Sequence, residues 1–137
     1  MLIIGFCGVG KTTYVLRNKN AIDLTYIKPG LSALQRVVEN YEIVLGDPSW
    51  LGVFIESGLP FYVVVPTMDR KEEYLTNYRE RNKEGTGGGD DKFCQVVSDN
   101  WEEWIETLKK VPQTIVELGP GEFLEDAISY LSQHRTC

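Results

Sequence analysis

The sequence predicts an α/β fold, a three-layer α/β/α sandwich around a five-stranded parallel sheet. Two observations carry this. Short apolar runs alternate with segments of helical periodicity along the whole chain, the order that builds parallel sheets covered on both faces. The run "FYVVV" at 61–65 is apolar without interruption, as suits a central strand buried on both sides. A chain of 137 residues is expected to form one domain, spanning 1–137, with a real core.

The elements follow in order. "MLIIG" reads as a buried strand, and the glycine-rich turn after it opens directly into a helix, "KTTYVLRN". "NAIDL" is a short second strand. "LSALQRVVENY" places Leu31, Leu34, Val37 and Val38 at helical spacing. "EIVLGD" is a third strand ending on an acid. Asp47-Pro48 then has the form of an N-cap with proline at the first helical position, and "SWLGVFIESG" closes on glycine. "PFYVVVP" is the fourth strand. A charged helix over roughly 69–84, the flexible tip "EGTGGGDDK" and a second helix over about 92–110 come next. "QTIVEL" is the fifth strand and "GEFLEDAISYLSQH" the closing helix.

Apolar content of 42% and charged content of 25% are ordinary for a globular protein, and no apolar run is long enough to cross a bilayer. The glycine turn begins almost at Met1, so no signal peptide is expected. Cys7, Cys94 and Cys137 are odd in number and lack CxxC spacing, which fits a reduced, cytoplasmic protein and gives no metal or disulfide signal. The net charge of −6 argues against tight nonspecific binding to a phosphate backbone. The charge is uneven, however. Residues 1–36 carry Lys11, Arg17, Lys19, Lys28 and Arg36 against Asp23 alone, so the acidic chain has room for a local basic site.

"GFCGVGKTT" at 5–13 gives that site its chemistry. Gly5, Gly10, Lys11 and Thr12 match G-x-x-x-x-G-K-[ST] in full, with a strand before and a helix after. Glycines let the backbone curl so that its N–H groups converge on phosphate oxygens, and the helix adds its positive end. The expected nucleotide-binding set is Gly5, Gly8, Val9, Gly10, Lys11, Thr12 and Thr13. Lys11 places a cation on the β- and γ-phosphates, and the Thr12 hydroxyl can join a Mg²⁺ shell. Cys7 is read as a space-filler. "NKNA" at 18–21 lacks the aspartate of a guanine-reading NKxD, and no DxxG follows the third strand, so ATP is expected rather than GTP.

With this loop, five strands, a charged lid over 69–92 and a C-terminal helix, the chain resembles the P-loop kinases, which include nucleoside monophosphate kinases and polynucleotide kinases. The resemblance implies a sheet order of 2-3-1-4-5, ATP and Mg²⁺. Asp47, closing the third strand, takes the place of a Walker-B-like acid near the metal; an N-cap role is the alternative. Asp23, closing the second strand, lies where related hydroxyl kinases keep the acid that accepts the acceptor proton; capping the turn through Thr25 is the alternative. In the lid, Arg81 first, then Arg70 and Arg79, are candidates to offset charge on the transferring phosphoryl group. Trp101, Trp104, Ile105 and Leu108 form a stripe read as core. Trp50 and Tyr26 each follow a strand-end acid and either pack or stack on an acceptor base.

The connection "TYIKPGLS" leaves no room for the sizeable acceptor insertion of nucleoside monophosphate kinases. The phrases "NAIDLTY", "KEEYLTNYRERN", "NWEEWIETL" and "GEFLEDAI" resemble small phage-type kinases, including 5-hydroxymethyluracil DNA kinases. That likeness implies transfer from ATP to the hydroxymethyl group of a modified base in DNA, in host cytoplasm for a phage-encoded chain. A small nucleoside monophosphate kinase and a non-catalytic ATP-binding module are the alternatives.

Overall fold

The computed structural model describes residues 1–85 and 89–133. Five parallel strands form one sheet: β1 (Leu2–Gly5), β2 (Ala21–Asp23), β3 (Ile43–Gly46), β4 (Tyr62–Pro66) and β5 (Thr114–Leu118). Their order is β2-β3-β1-β4-β5, as expected. Ile3 stands opposite Leu45 on one side and Tyr62 on the other, so β1 is central. Ile3, Ile4, Val44, Leu45 and Val63 to Val65 are all buried. That burial on both faces accounts for their unbroken apolar runs.

Among the described residues six α-helices flank the sheet: α1 (Lys11–Arg17), α2 (Leu31–Asn40), α3 (Leu51–Ser57), α4 (Lys71–Glu84), α5 (Asp91–Lys109) and α6 (Leu124–Gln133). α1 packs beside α6, and α2 beside α3. The right-handed crossovers usual for parallel strands put α1 on one face and α2, α3 and α5 on the other, and α6, after the last strand, returns beside α1. The chain leaves β1 toward one sheet edge and later returns to the opposite one. The carboxyl ends of β1 and β3 therefore flank a switch point, where open α/β sheets bind ligands.

Two helix starts differ from expectation. Pro48–Trp50 and Met68–Arg70 are 3₁₀ turns leading into α3 and α4. At the first, Trp50 N–H donates to Asp47 C=O, closing a three-residue step instead of four. At the second, Arg70 N–H donates to Thr67 C=O, and the Trp101 indole N–H takes up the Met68 carbonyl at 2.9 Å. α4 ends at Gly85, whose φ of 70° is left-handed. α5 starts from Asp90, whose side chain accepts from Phe93 N–H. The middle of the glycine-rich tip, 86–88, lies outside the described residues, as do 134–137 with Cys137. Among the described residues, no helix is long and apolar enough to cross a membrane, and Cys7 and Cys94 are free thiols.

Candidate functional site

The turn between β1 and α1 is held by its surroundings. Phe6 N–H donates to Val64 C=O, and Val9 C=O accepts from Leu124 N–H at 2.8 Å. Gly8 and Gly10 take φ of 89° and 109°, a conformation in which any other L-residue is strained. Gly8 is also required by space, because a Cβ there would stand 2.7 Å from Tyr78 Cε1. The Tyr78 hydroxyl donates to Cys7 C=O at 2.6 Å and ties α4 to the loop. Val9 N–H points inward to Phe6 C=O, so this amide is engaged. The amides of Gly8, Gly10, Lys11, Thr12 and Thr13 have no acceptor among the described residues. They form a cradle of unsatisfied donors at the foot of α1.

Lys11 is 8% exposed, and its ammonium donates to Gly5 C=O at 3.0 Å and Phe6 C=O at 3.3 Å. Burial pushes its pKa below the ordinary lysine range, partly offset by attraction from Asp23 and Asp47. A buried cation beside unsatisfied amides, with no carboxylate within salt-bridge distance among the described residues, is poised for an anion. Burial raises the Cys7 thiol above its ordinary value, against the pull of Lys11, so it is protonated at neutral pH and fits the space-filling role.

Two strand-end acids face this cation with the same local geometry. Asp23 Oδ1 accepts from Thr25 N–H at 3.0 Å and from the Thr25 hydroxyl at 2.6 Å. Asp47 Oδ1 accepts from Ser49 N–H at 3.1 Å and from the Ser49 hydroxyl. Both capping alternatives are thus realised, each through one oxygen only. Oδ2 of each carboxylate carries no hydrogen bond among the described residues, and both side chains line the cavity that holds Lys11 and Thr12. Capping therefore orients each acid and leaves its second oxygen for other work.

The cavity over Lys11, about 360 Å³, is also lined by Tyr26, Arg81 and Phe93. A second cavity of about 460 Å³ runs between α1, α4 and the β5–α6 connection, with Tyr14, Tyr74, Asn77, Arg81 and Phe123 in its walls. The two share Gly8, Gly10, Thr13, Tyr78 and Arg81, so one crevice arches over the glycine turn. Tyr74 and Tyr78 stay protonated, because burial raises both, Tyr74 to about 12.

The arginines separate clearly. Arg81 lines both cavities. Arg70 does not reach the crevice. It is 3% exposed, donates to Leu118 C=O, Glu122 C=O and Glu73, and lies between the rings of Tyr74 and Phe123. It is a clamp between α4 and the β5–α6 connection, correcting the phosphate role expected for it. Arg79 points to Asp91 across the α4–α5 junction at 3.9 Å and lines neither cavity.

Trp50 is fully buried, and its indole N–H donates to Leu24 C=O at 3.0 Å, so it packs and cannot stack on a ligand. Tyr26 is 94% exposed beside Asp23. Trp101, Ile105 and Leu108 are core as expected, whereas Trp104 sits at the stripe's flank and is exposed. Sequence reasoning missed Tyr74, Tyr78 and Phe123. The first two carry a readable sign, an i,i+4 tyrosine pair on an otherwise charged helix.

A divalent ion here would take the Thr12 hydroxyl, with Asp47 beside it. Among the described residues no cluster of three acidic, histidine or cysteine side chains could hold a metal alone. The chemistry fits Mg²⁺, which usually keeps several waters and binds through one or two carboxylates plus substrate phosphates. Compared with protein families, curated proteins and solved structures, the chain finds no match.

Proposed function

We propose that this chain is an ATP-dependent kinase that phosphorylates a hydroxyl group, the hydroxymethyl group of 5-hydroxymethyluracil in DNA being the leading acceptor. The reading rests above all on one arrangement: the unpaired amides of the Gly8–Thr13 turn and the buried Lys11 ammonium, opposite two carboxylates that each present a free oxygen. Amides and ammonium suit a polyphosphate, and the tyrosine-walled cavity beside them suits the donor's nucleoside.

The acceptor oxygen attacks the γ-phosphorus, forming one O–P bond while the bond to the bridging β–γ oxygen breaks and ADP leaves. The acceptor proton passes to Asp23 Oδ2, held in position by the Thr25 contacts to Oδ1. Lys11 and Arg81 offset charge on the phosphoryl oxygens. Mg²⁺, when bound through Thr12 and near Asp47, supplies charge neutralisation on the phosphates. Tyr78 keeps α4 seated on the loop, limiting water at the reacting centre. The free thiols fit a cytoplasmic setting.

An acceptor phosphate, as in a nucleoside monophosphate kinase, would face Asp23 and Asp47, with Lys11 and Arg81 already committed to the donor. That favours an alcohol. The deciding assay offers γ-labelled ATP with free nucleotides, plain DNA and hydroxymethyluracil-containing DNA. Label is expected only with the hydroxymethylated acceptor. Labelled mononucleotides would move the reading to the monophosphate kinases, and no label on any acceptor would end it.

A further inference from the structure

Trp104 is 36% exposed, while its neighbours Trp101, Ile105 and Leu108 on α5 face the core. Its side chain walls a groove of about 460 Å³ between α5 and the start of α3, lined also by Phe6, Pro48 and Leu108. This volume lies in the range of about 300–1,000 Å³ that small-molecule sites occupy. The groove adjoins the crevice over Lys11, because Cys7 and Asp47 line both.

Its chemistry selects an occupant. Asp47 and Glu103 supply two carboxylates, Ser49 and Thr107 two hydroxyls, and no lysine, arginine or histidine lines it among the described residues. A phosphate placed here would meet negative charge without compensation. A neutral flat ring is suited on three counts: an indole to stack on, apolar walls, and acceptors for ring N–H and hydroxyl donors.

We infer that this groove seats the acceptor's ring, a neutral hydroxymethylated pyrimidine stacked on Trp104 with its one-carbon arm turned toward Asp47, where groove and crevice meet. The fate of that arm rests on the kinase reading; the seating of the ring does not. In DNA, such a ring must leave the base stack to enter, so the inference also makes the chain a base-flipping protein.

The test titrates the free nucleoside 5-hydroxymethyl-2′-deoxyuridine into the protein while reading tryptophan fluorescence. Trp50 and Trp101 are fully buried, so saturable quenching is expected in the wild type and is expected to vanish in Trp104→Phe. In labelled-transfer assays, Trp104→Ala is expected to raise the acceptor KM about tenfold or more, and Trp104→Phe, which keeps a ring, to restore most of it. Thr107→Phe, at an exposed position, narrows the groove and is expected to raise the same KM. ATP affinity of each variant checks that the glycine turn is intact. Unchanged acceptor KM in both Trp104→Ala and Thr107→Phe, with transfer still running, would overturn the groove and leave the kinase standing. If the wild type labels nothing, the kinase reading falls, and quenching decides the groove: a saturable, Trp104-dependent signal upholds it, and none rejects it.

Discussion

On the proposed function, Lys11 opposes stability in favour of binding. Its ammonium is buried against two carbonyls, and burial lowers its pKa. Between the folded and ordinary lysine pKa values, the unfolded chain binds more protons, so stability rises with pH across that window. Lys11→Met removes this penalty. Without nucleotide, wild-type stability is expected to rise relative to the variant as pH climbs from neutral toward about 10. Thermal melts across that range read it; a wild type that gains nothing on the variant over that range would contradict the buried-charge account. Transfer should fall by about 10²-fold or more. Asp23→Asn makes a complementary case. The amide oxygen still accepts from Thr25, so fold and ATP affinity should hold. Transfer should drop by about 10²–10⁴-fold through loss of the proton acceptor. Turnover near the wild-type level would remove Asp23 from that role.

Among the elements, α4 joins the site to the scaffold, and its two arginines make opposite predictions. Arg70→Met strips donors from Leu118 C=O and Glu122 C=O and should cost about 2–4 kcal/mol of stability, while the folded fraction transfers normally. Arg81→Met should leave stability within about 1 kcal/mol and depress transfer. Melts paired with rates per folded molecule separate the two, and a reversed pattern would exchange their roles. This contrast marks where sequence reading stops. Strands, helices and the glycine turn were legible because each is encoded locally, by apolar period or by backbone freedom at Gly8 and Gly10. The choice among Arg70, Arg79 and Arg81 was not, because it depends on which side of α4 meets the β5–α6 connection. The 3₁₀ starts at Pro48 and Met68 escaped for the same reason, the second being shaped by Trp101 from α5. Asp23 and Asp47 were legible as strand-end acids, but only the structure shows that capping and an outward oxygen coexist.

For the whole molecule, the conflict is between a net charge of −6 and the DNA acceptor proposed for it. A protein that grips DNA through its backbone places many cations on phosphates, and its affinity then falls steeply with salt. Here the crevice offers Lys11 and Arg81, which the proposed mechanism assigns to the donor, and the adjoining groove is acidic. On the proposed function, DNA would be recognised through the base it gives up, with few phosphate contacts from this site. The KM for hydroxymethyluracil-containing DNA should therefore rise less than about tenfold between about 50 and 200 mM salt, against about 10³–10⁵-fold for a protein making six to ten such contacts. The free hydroxymethylated nucleoside, lacking phosphates, should show almost no salt dependence. A steep rise for the polymer would mean that cations elsewhere on the surface bind the backbone. The acidic groove would then no longer be the feature that selects the substrate.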